Sequence, residues 1–565
     1  MRVTDERLSL TAPNDRQVRA DGDGRRSDDS QSNGLSGLDS LIVVSNRQPY
    51  RHEYEAVQTA ADGDRTTPPS VRVDTSDGAV PEPTDARITV DEPTGGLTAG
   101  LDPVLQQASG TWIAWGDGDA DFDVADEHNC VAVPPDDPSY TLQRIDLSEE
   151  AVDSYYYGFS NRVLWPLCHG FVDHIDDSAN NFKWYQTINE CFAEAVSEHA
   201  TADSVVWLQD YHFALASRMI RDRVPQSTTV AQFWHIPWPT LTTFQYCPAR
   251  DQILEGLLGN DLLGFHVDRY AERFLECVQR FLPAAGVDWE RRTVTYGGEL
   301  THVVATPMGV DAKSYDQDAQ SVTSSQLSSL FDRYDVSHEN VIGLGVDRLD
   351  YTKGIPERLA AIERFLEWNP SWHGEFTFIQ TATPSRTDIQ TYEQHGALVR
   401  SEVERINQRF GTQAWDPIVY TEDYISAADL CALYRRAELM VVSPLADGMN
   451  LVAQEYVAAS VDRDGTLVLS QDAGAHETLG SHALTIDPAD VSGFAHQIER
   501  AVSLPPTERR HRMRTLRNRV FDRDLEWWME TQFDWIRYLR RGTDGDPVTR
   551  DPDSDDDSYE RTPSV

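Results

Sequence analysis

Arg348 and Lys353 stand five positions apart in VDRLDYTKG, just past the apolar run NVIGLG, where a strand would turn into a helix. That spacing can aim two cations at one pyrophosphate. An arbitrary Arg and Lys so placed would more often make surface ion pairs. Lys353, however, is one of only three lysines in the chain, with Lys183 and Lys313, so a compact ammonium is wanted at that place. Further along, SPLADGMNLVAQE sets Asp447, the turn at Gly448 and Glu455 where a strand passes into a helix. A carboxylate there can hold paired hydroxyls while the preceding amides hold a sugar or phosphate. ATPSRTD brings Arg386 to another strand end. In the first half Arg47 follows LIVVSN, Asp210 opens Asp-Tyr-His after SVVWLQ, and His235 follows TTVAQFW. Gly95 and Gly96 precede a helical pattern, where backbone N–H groups can approach a phosphate. A glycine pair alone is more often an ordinary turn, and His235 alone reads equally as a hydrogen-bonded core histidine. Three polar strand ends in one half point instead to a cleft.

These residues need elements to carry them. LIVVSNR, SVVWLQDYH, TTVAQFWHIP, DLLGFH, THVVATPMGV, NVIGLGVDR, EFTFIQTATP, ELMVVSPLADG and GTLVLSQDAG are short and β-branched, as strands buried on both faces of a parallel sheet are. Amphipathic stretches such as YAERFLECVQRFL and IPERLAAIERFLEW separate them. The alternation predicts an α/β protein with doubly wound sheets, whose ligands sit beyond the carboxyl ends of the strands. The rhythm breaks at Asp311 to Ser329, which reads as an interdomain linker. The reading is then a polar tail over 1–38, a Rossmann-like domain over 39–312, a second over 313–541 and a polar tail over 542–565, both tails disordered. Residues 51–83 read as a polar loop insertion. The aromatic-rich DLEWWMETQFDWIRYLRR is expected to pack across both domains.

Composition narrows the function. At 565 residues the chain is too long for one ordinary core, and its formal charge of −44 disfavours nucleic acid and anionic membrane as partners. Acid spread along the chain, with arginine replacing lysine, reads as adaptation to a cytosol of molar salt. The six cysteines, at 130, 168, 191, 247, 277 and 431, form no CxxC pair, so they read as reduced thiols and suggest neither metal nor redox cofactor. No apolar run is long enough for a bilayer, so a cytoplasmic protein is expected.

Together VVSNR, GGL, FSN.VLWP, DYH, HIPWP, DLLGFH, VDRLDYTKG, PSR.D, SPL.DGMNLVA.EY and VLSQ.AGA resemble the trehalose-6-phosphate synthase family of glycosyltransferases, from about Leu41 to Arg541. The resemblance implies a B-type glycosyltransferase fold, two Rossmann-like domains facing a cleft, and metal-free transfer of glucose with retention from a nucleoside-diphosphate glucose to glucose 6-phosphate. It implies that Arg348, Lys353, Gly95 and Gly96 bind the donor diphosphate, that Glu455 holds the ribose, and that Ile425 frames the base. Asp447 and the backbone of Gly448, Met449, Asn450, Leu451 and Val452 would contact the transferred glucose and phosphate, with His235 bonding the glucose. Arg47, Tyr156, Asp210 and Arg386 would hold glucose 6-phosphate, and Trp165 would orient it. The family's chemistry lets the leaving phosphate take the acceptor proton, so Arg348, Lys353, His235 and Asp447 are the catalytic candidates. Gln454 stands where a lysine or another residue is common in relatives and reads as salt adaptation; the 51–83 insertion lies beside the acceptor motif. Alternatives are a glucosylglycerol-phosphate synthase, or a noncatalytic sugar-phosphate sensor. The donor base and oligomeric state stay open, and removal of the product's phosphate is assigned to a separate phosphatase.

Overall fold

The computed structural model describes residues 40–55, 87–92, 96–178 and 180–541. The expected disordered tails, Gly95 and most of the 51–83 insertion lie outside them. Two sheets organise the chain. The first has ten strands, and at its centre Leu41–Val44 pairs in parallel with Val205–Gln209 on one side and Thr111–Trp115 on the other. Thr229–Trp234, Leu262–Phe265 and Glu299–Ala305 extend it in parallel beyond Val205–Gln209, and antiparallel strands close both edges. The second sheet has six strands, all parallel, with Val341–Leu349 between Phe376–Pro384 and Leu439–Val442. Leu41–Val44, Val205–Gln209, Thr229–Trp234 and Thr466–Ser470 are buried at every position, because helices cover both faces.

The helix Leu525–Arg541 returns to the first sheet. Trp528 lies 5.5 Å from the ring of Trp207 and edge-on to Phe233 at 5.0 Å, while Phe533 meets Trp207 at 5.4 Å. Its buried face joins Leu41, Val43, Trp112 and Phe233 in one apolar cluster.

Two sequence readings are corrected here. The segment read as a linker holds two helices, Ala312–Ser321 and Ser324–Arg333, whose Ala312, Ala319, Leu330 and Phe331 are buried in the core of the second sheet. Asp311 caps the first by accepting from Ser314 N (3.0 Å), and Thr323 caps the second by accepting from Gln326 N (3.2 Å). The segment read as an inserted loop begins with a strand: Arg51–Tyr54 pairs antiparallel with Ile88–Asp91. Beneath that ribbon the fully buried Arg144 donates to Gln48 Oε1 (2.9 Å) and Tyr50 O (3.0 Å) and pairs with Asp121 at 3.2 Å.

Candidate active site

The site lies where the carboxyl ends of both sheets meet. Arg47 follows Leu41–Val44, Trp115 ends Thr111–Trp115, Asp210 follows Val205–Gln209, and His235 follows Thr229–Trp234. From the second sheet come Arg348 near the end of Val341–Leu349, Arg386 after Phe376–Pro384, and Asp447 beyond Leu439–Val442. Between the two groups runs Val152–Leu164, wound as a π-helix, which carries Tyr156 and leads directly into Trp165. Such winding is rare and tends to mark functional places.

Three guanidinium groups converge on this segment. Arg386 stacks over the Trp165 ring at 4.0 Å and Arg348 faces the same ring at 5.3 Å. Burial would raise the Tyr156 phenol, yet the charges of Arg386, Arg47 and Arg348 bring it below its ordinary value. His212 stacks on Tyr156 with planes 13° apart, and the Trp115 ring lies 5.8 Å from it, tilted by 49°. The Arg386 side chain, only 6% exposed, pairs with Asp350 at 3.3 Å and donates to Tyr392 Oη (2.6 Å) and Tyr211 Oη (3.4 Å).

Beside this cluster, Lys353 Nζ is 2.5 Å from Asp447 Oδ2, and Asn450 Nδ2 donates to the same oxygen at 3.1 Å. Burial pushes the Asp447 carboxyl up, but Lys353 outweighs it and the carboxyl sits below its usual value. Lys353 ends a short turn followed by Gly354, whose φ of +63° and carbonyl neighbour, Ser443 O at 2.1 Å from where a Cβ would be, require glycine. The Gly448 backbone backs onto the first domain: a Cβ there would lie 1.9 Å from His235 O. Tyr270 Oη also bonds across the halves, donating to Asp447 O at 2.8 Å.

Asp210 and His235 are held rigidly. Asp210 Oδ1 accepts from Tyr211 N (2.9 Å) and His235 N (3.2 Å), and burial raises its carboxyl to about 6. His235 Nε2 lies 2.9 Å from Gln209 Oε1, and burial drives its imidazole well below the usual range, so the ring is neutral. Glu455 accepts from Tyr434 Oη at 2.8 Å, and burial raises its carboxyl. Ile425 packs at the margin of the cluster that contains Tyr434. Gly96 opens the helix Gly96–Ala108, Met449 is buried, and Leu451 and Val452 begin the helix Leu451–Ala459.

The structure therefore gathers Arg47, Tyr156, Trp165, Arg348 and Arg386 in one cluster and Lys353, Asp447 and Asn450 in an adjoining one. Arg348, grouped by spacing with Lys353, is oriented toward the Trp165 cluster. Gln454 corrects the salt-adaptation reading: it is buried and donates to Met308 O at 3.0 Å, bridging the halves where solvent ions do not act. Sequence reasoning passed over Trp115, His212, Asp350 and Tyr392. Trp115 had a usable signal, an aromatic at the end of a buried run. Asp350 and Tyr392 had no such signal and emerge from their place beside Arg386. Among the described residues no group of three or more His, Cys, Asp or Glu is arranged to hold a metal ion, and no helix is long and apolar enough to cross a membrane.

Residues 71–538 match the profile of Glycosyltransferase family 20. A trehalose-6-phosphate synthase of Mycolicibacterium vanbaalenii is 37% identical over 449 residues, covering 78% of this chain and 90% of that one. A bifunctional trehalose-6-phosphate synthase/phosphatase of Thermoproteus tenax is 35% identical over 490 residues, 86% of this chain; the match spans 62% of that longer protein. An E. coli structure bound with UDP-2-fluoro glucose superposes with a TM-score of 0.75 at 29% identity, over 89% of this chain and 99% of that one. An α,α-trehalose-phosphate synthase (UDP-forming) from Burkholderia xenovorans in complex with glucose-6-phosphate gives 0.73 at 28%, over 89% and 100%.

Proposed function

The chain belongs to glycosyltransferase family 20, and from that membership we propose that it makes α,α-trehalose 6-phosphate from UDP-glucose and glucose 6-phosphate. The observation that carries the reading is the convergence of Arg47, Arg348 and Arg386 on Tyr156 and Trp165 in a chain of net charge −44. Three cations gathered at one place in so acidic a protein suit a site that holds anions.

The bond from the glucose anomeric carbon to the β-phosphate oxygen breaks, and one from that carbon to the anomeric oxygen of glucose 6-phosphate forms. The acceptor's proton goes to the departing phosphate, on the same face of the sugar, so configuration is retained. Arg348 and Lys353, with the amides at Gly96 and from Gly448 to Val452, offset the charge that develops on the diphosphate. The diphosphate competes for Lys353, which frees the Asp447 carboxylate to accept from the sugar's hydroxyls. Neutral His235 hydrogen-bonds the same sugar, Glu455 holds the ribose, and Ile425 frames the base. On the acceptor side Arg47, Tyr156 and Arg386 take the phosphate, while Asp210 and Trp165 orient the ring. We place the protein in the cytoplasm, a reading its six free cysteines suit. Removal of the product's phosphate is assigned to a separate protein.

The test is purified protein in concentrated potassium chloride, supplied with glucose 6-phosphate and each nucleotide glucose in turn, with diphosphate and disaccharide phosphate both followed. UDP and trehalose 6-phosphate should appear in equal amounts. Transfer only to another phosphorylated acceptor, such as glycerol phosphate, or binding without turnover, would overturn the reading. Lys353→Ala should slow turnover by about a hundredfold or more, as loss of a preorganised charge donor does.

A further inference from the structure

We infer that Asp350 is a positioning residue that fixes Arg386 for the acceptor phosphate, and does so from the turn that presents Lys353 to the donor. The inference rests on the assignment of Arg386 to the acceptor given above.

Asp350 is completely buried, and its two carboxylate oxygens serve different parts of the site. Oδ1 accepts from Thr352 N at 3.0 Å and Thr352 Oγ1 at 2.9 Å, and Asp350 O accepts from Lys353 N at 3.0 Å. These bonds shape the turn that carries Lys353. Oδ2 accepts from Arg386 Nη1 at 3.3 Å and from Tyr392 Oη at 3.2 Å. Arg386 needs such a hold, since its backbone lies in the left-handed region at φ +52° and its guanidinium is stacked on Trp165. A guanidinium held by a carboxylate, two phenols and an indole keeps its edge at Nε, which has no hydrogen-bond partner among the described residues, to offer an anion. Asp350 is also the negative charge set among Arg386, Arg348 and Lys353, whose charges outweigh burial and hold its carboxyl down at about 2. It therefore limits mutual repulsion among cations that must sit close together while the site is empty.

The alternative is a purely structural cap with a buried ion pair. Asp350→Asn separates the two, because the amide keeps an oxygen for Thr352 and turns an NH2 toward Arg386. The experiment measures steady-state constants for both substrates, with melting temperatures, in Asp350→Asn, Arg386→Ala and the double variant. Asp350→Asn should raise the acceptor KM by about tenfold or more, as loss of a charged contact does, and leave the donor KM nearly unchanged. In the Arg386→Ala background the same change should add almost nothing, since the residue acts through that arginine. Tyr392→Phe, which removes the second hold without touching a charge, should give a smaller rise that also vanishes in that background. It keeps the inference testable should Asp350→Asn fail to fold. An undiminished effect of either change in the Arg386→Ala background, or equal losses for both substrates, would overturn the inference. A normal acceptor KM in Arg386→Ala alone would instead remove the acceptor assignment beneath it.

Discussion

Asp210 combines backbone strain with an awkward charge. Its φ of +75° and ψ of 178° belong to a region that is essentially glycine's, at a cost of about 1–3 kcal/mol. Arg386 and Asn450, both at the site, are two more of the eight described non-glycine residues with positive φ. Burial also lifts the Asp210 carboxyl from 3.8 to about 6, so its ionisation costs the folded state progressively as pH rises between those values and fully above them. Asp210→Asn keeps an oxygen for Tyr211 N and His235 N and removes the charge. Thermal unfolding should therefore show the variant more stable than the parent at pH 7, with the gain shrinking to nothing as pH falls toward 4. Acceptor affinity at pH 7 should meanwhile drop about tenfold to a hundredfold, the worth of a charged hydrogen bond. A variant no more stable at pH 7 would show that the carboxylate carries no such cost. Asp210, His235, Lys353 and Arg386 were legible because each follows an apolar run, the place where α/β proteins put ligands. Their conformations were not legible: nothing in the letters DYH or PSR announces a left-handed aspartate or arginine. Asp350 was passed over within a motif already singled out, because its ion partner is 36 residues away and an aspartate opening a turn is ordinary.

Among the elements, the parallel strands were the most legible, since burial on both faces leaves continuous apolar runs. The helices Ala312–Ser321 and Ser324–Arg333 were not, because each buries only two residues and the rest is mostly Ser, Asp and Gln. Thr323 followed three residues later by Gln326 is a helix-start signature that could have found the second. The π-wound Val152–Leu164 has no comparable sign, for its winding follows from packing rather than composition. The helix Leu525–Arg541 has a measurable share in the first domain. Trp528 is fully buried against Trp207 and Phe233, and its ring is 6.1 Å from that of His235. Trp528→Ala should cost about 3–5 kcal/mol in chemical denaturation and loosen His235 as well. A loss below about 1 kcal/mol would mean that the helix is a passive cover.

At the scale of the molecule the dominant quantity is the charge of −44. At 0.1 M salt the repulsion reaches over about 10 Å; at 1 M it is cut to about 3 Å. Buried pairs such as Arg144–Asp121 and Arg358–Asp347 are shielded from this, so the surface sets the response. Melting temperature should rise steadily as potassium chloride goes from dilute to molar, and activity should follow it. A flat melting temperature across that range would remove the salt-adaptation reading that the composition suggested.

The return of the last helix has a consequence for how the protein is made. The parallel strands of the first sheet have all been synthesised once Ala305 is added, but the helix that covers Trp207 and Phe233 begins about 220 residues later. At the usual pace of about 5–20 residues per second, that face of the sheet waits on the order of ten to forty seconds for its cover. Nearly all of the second domain is made within that interval, so its sheet can form before the first domain is covered. The first domain is thus begun first and finished last, and a nascent chain cut short between Glu455 and Trp528 carries every described cleft residue named above while leaving the wall behind His235 unbuilt.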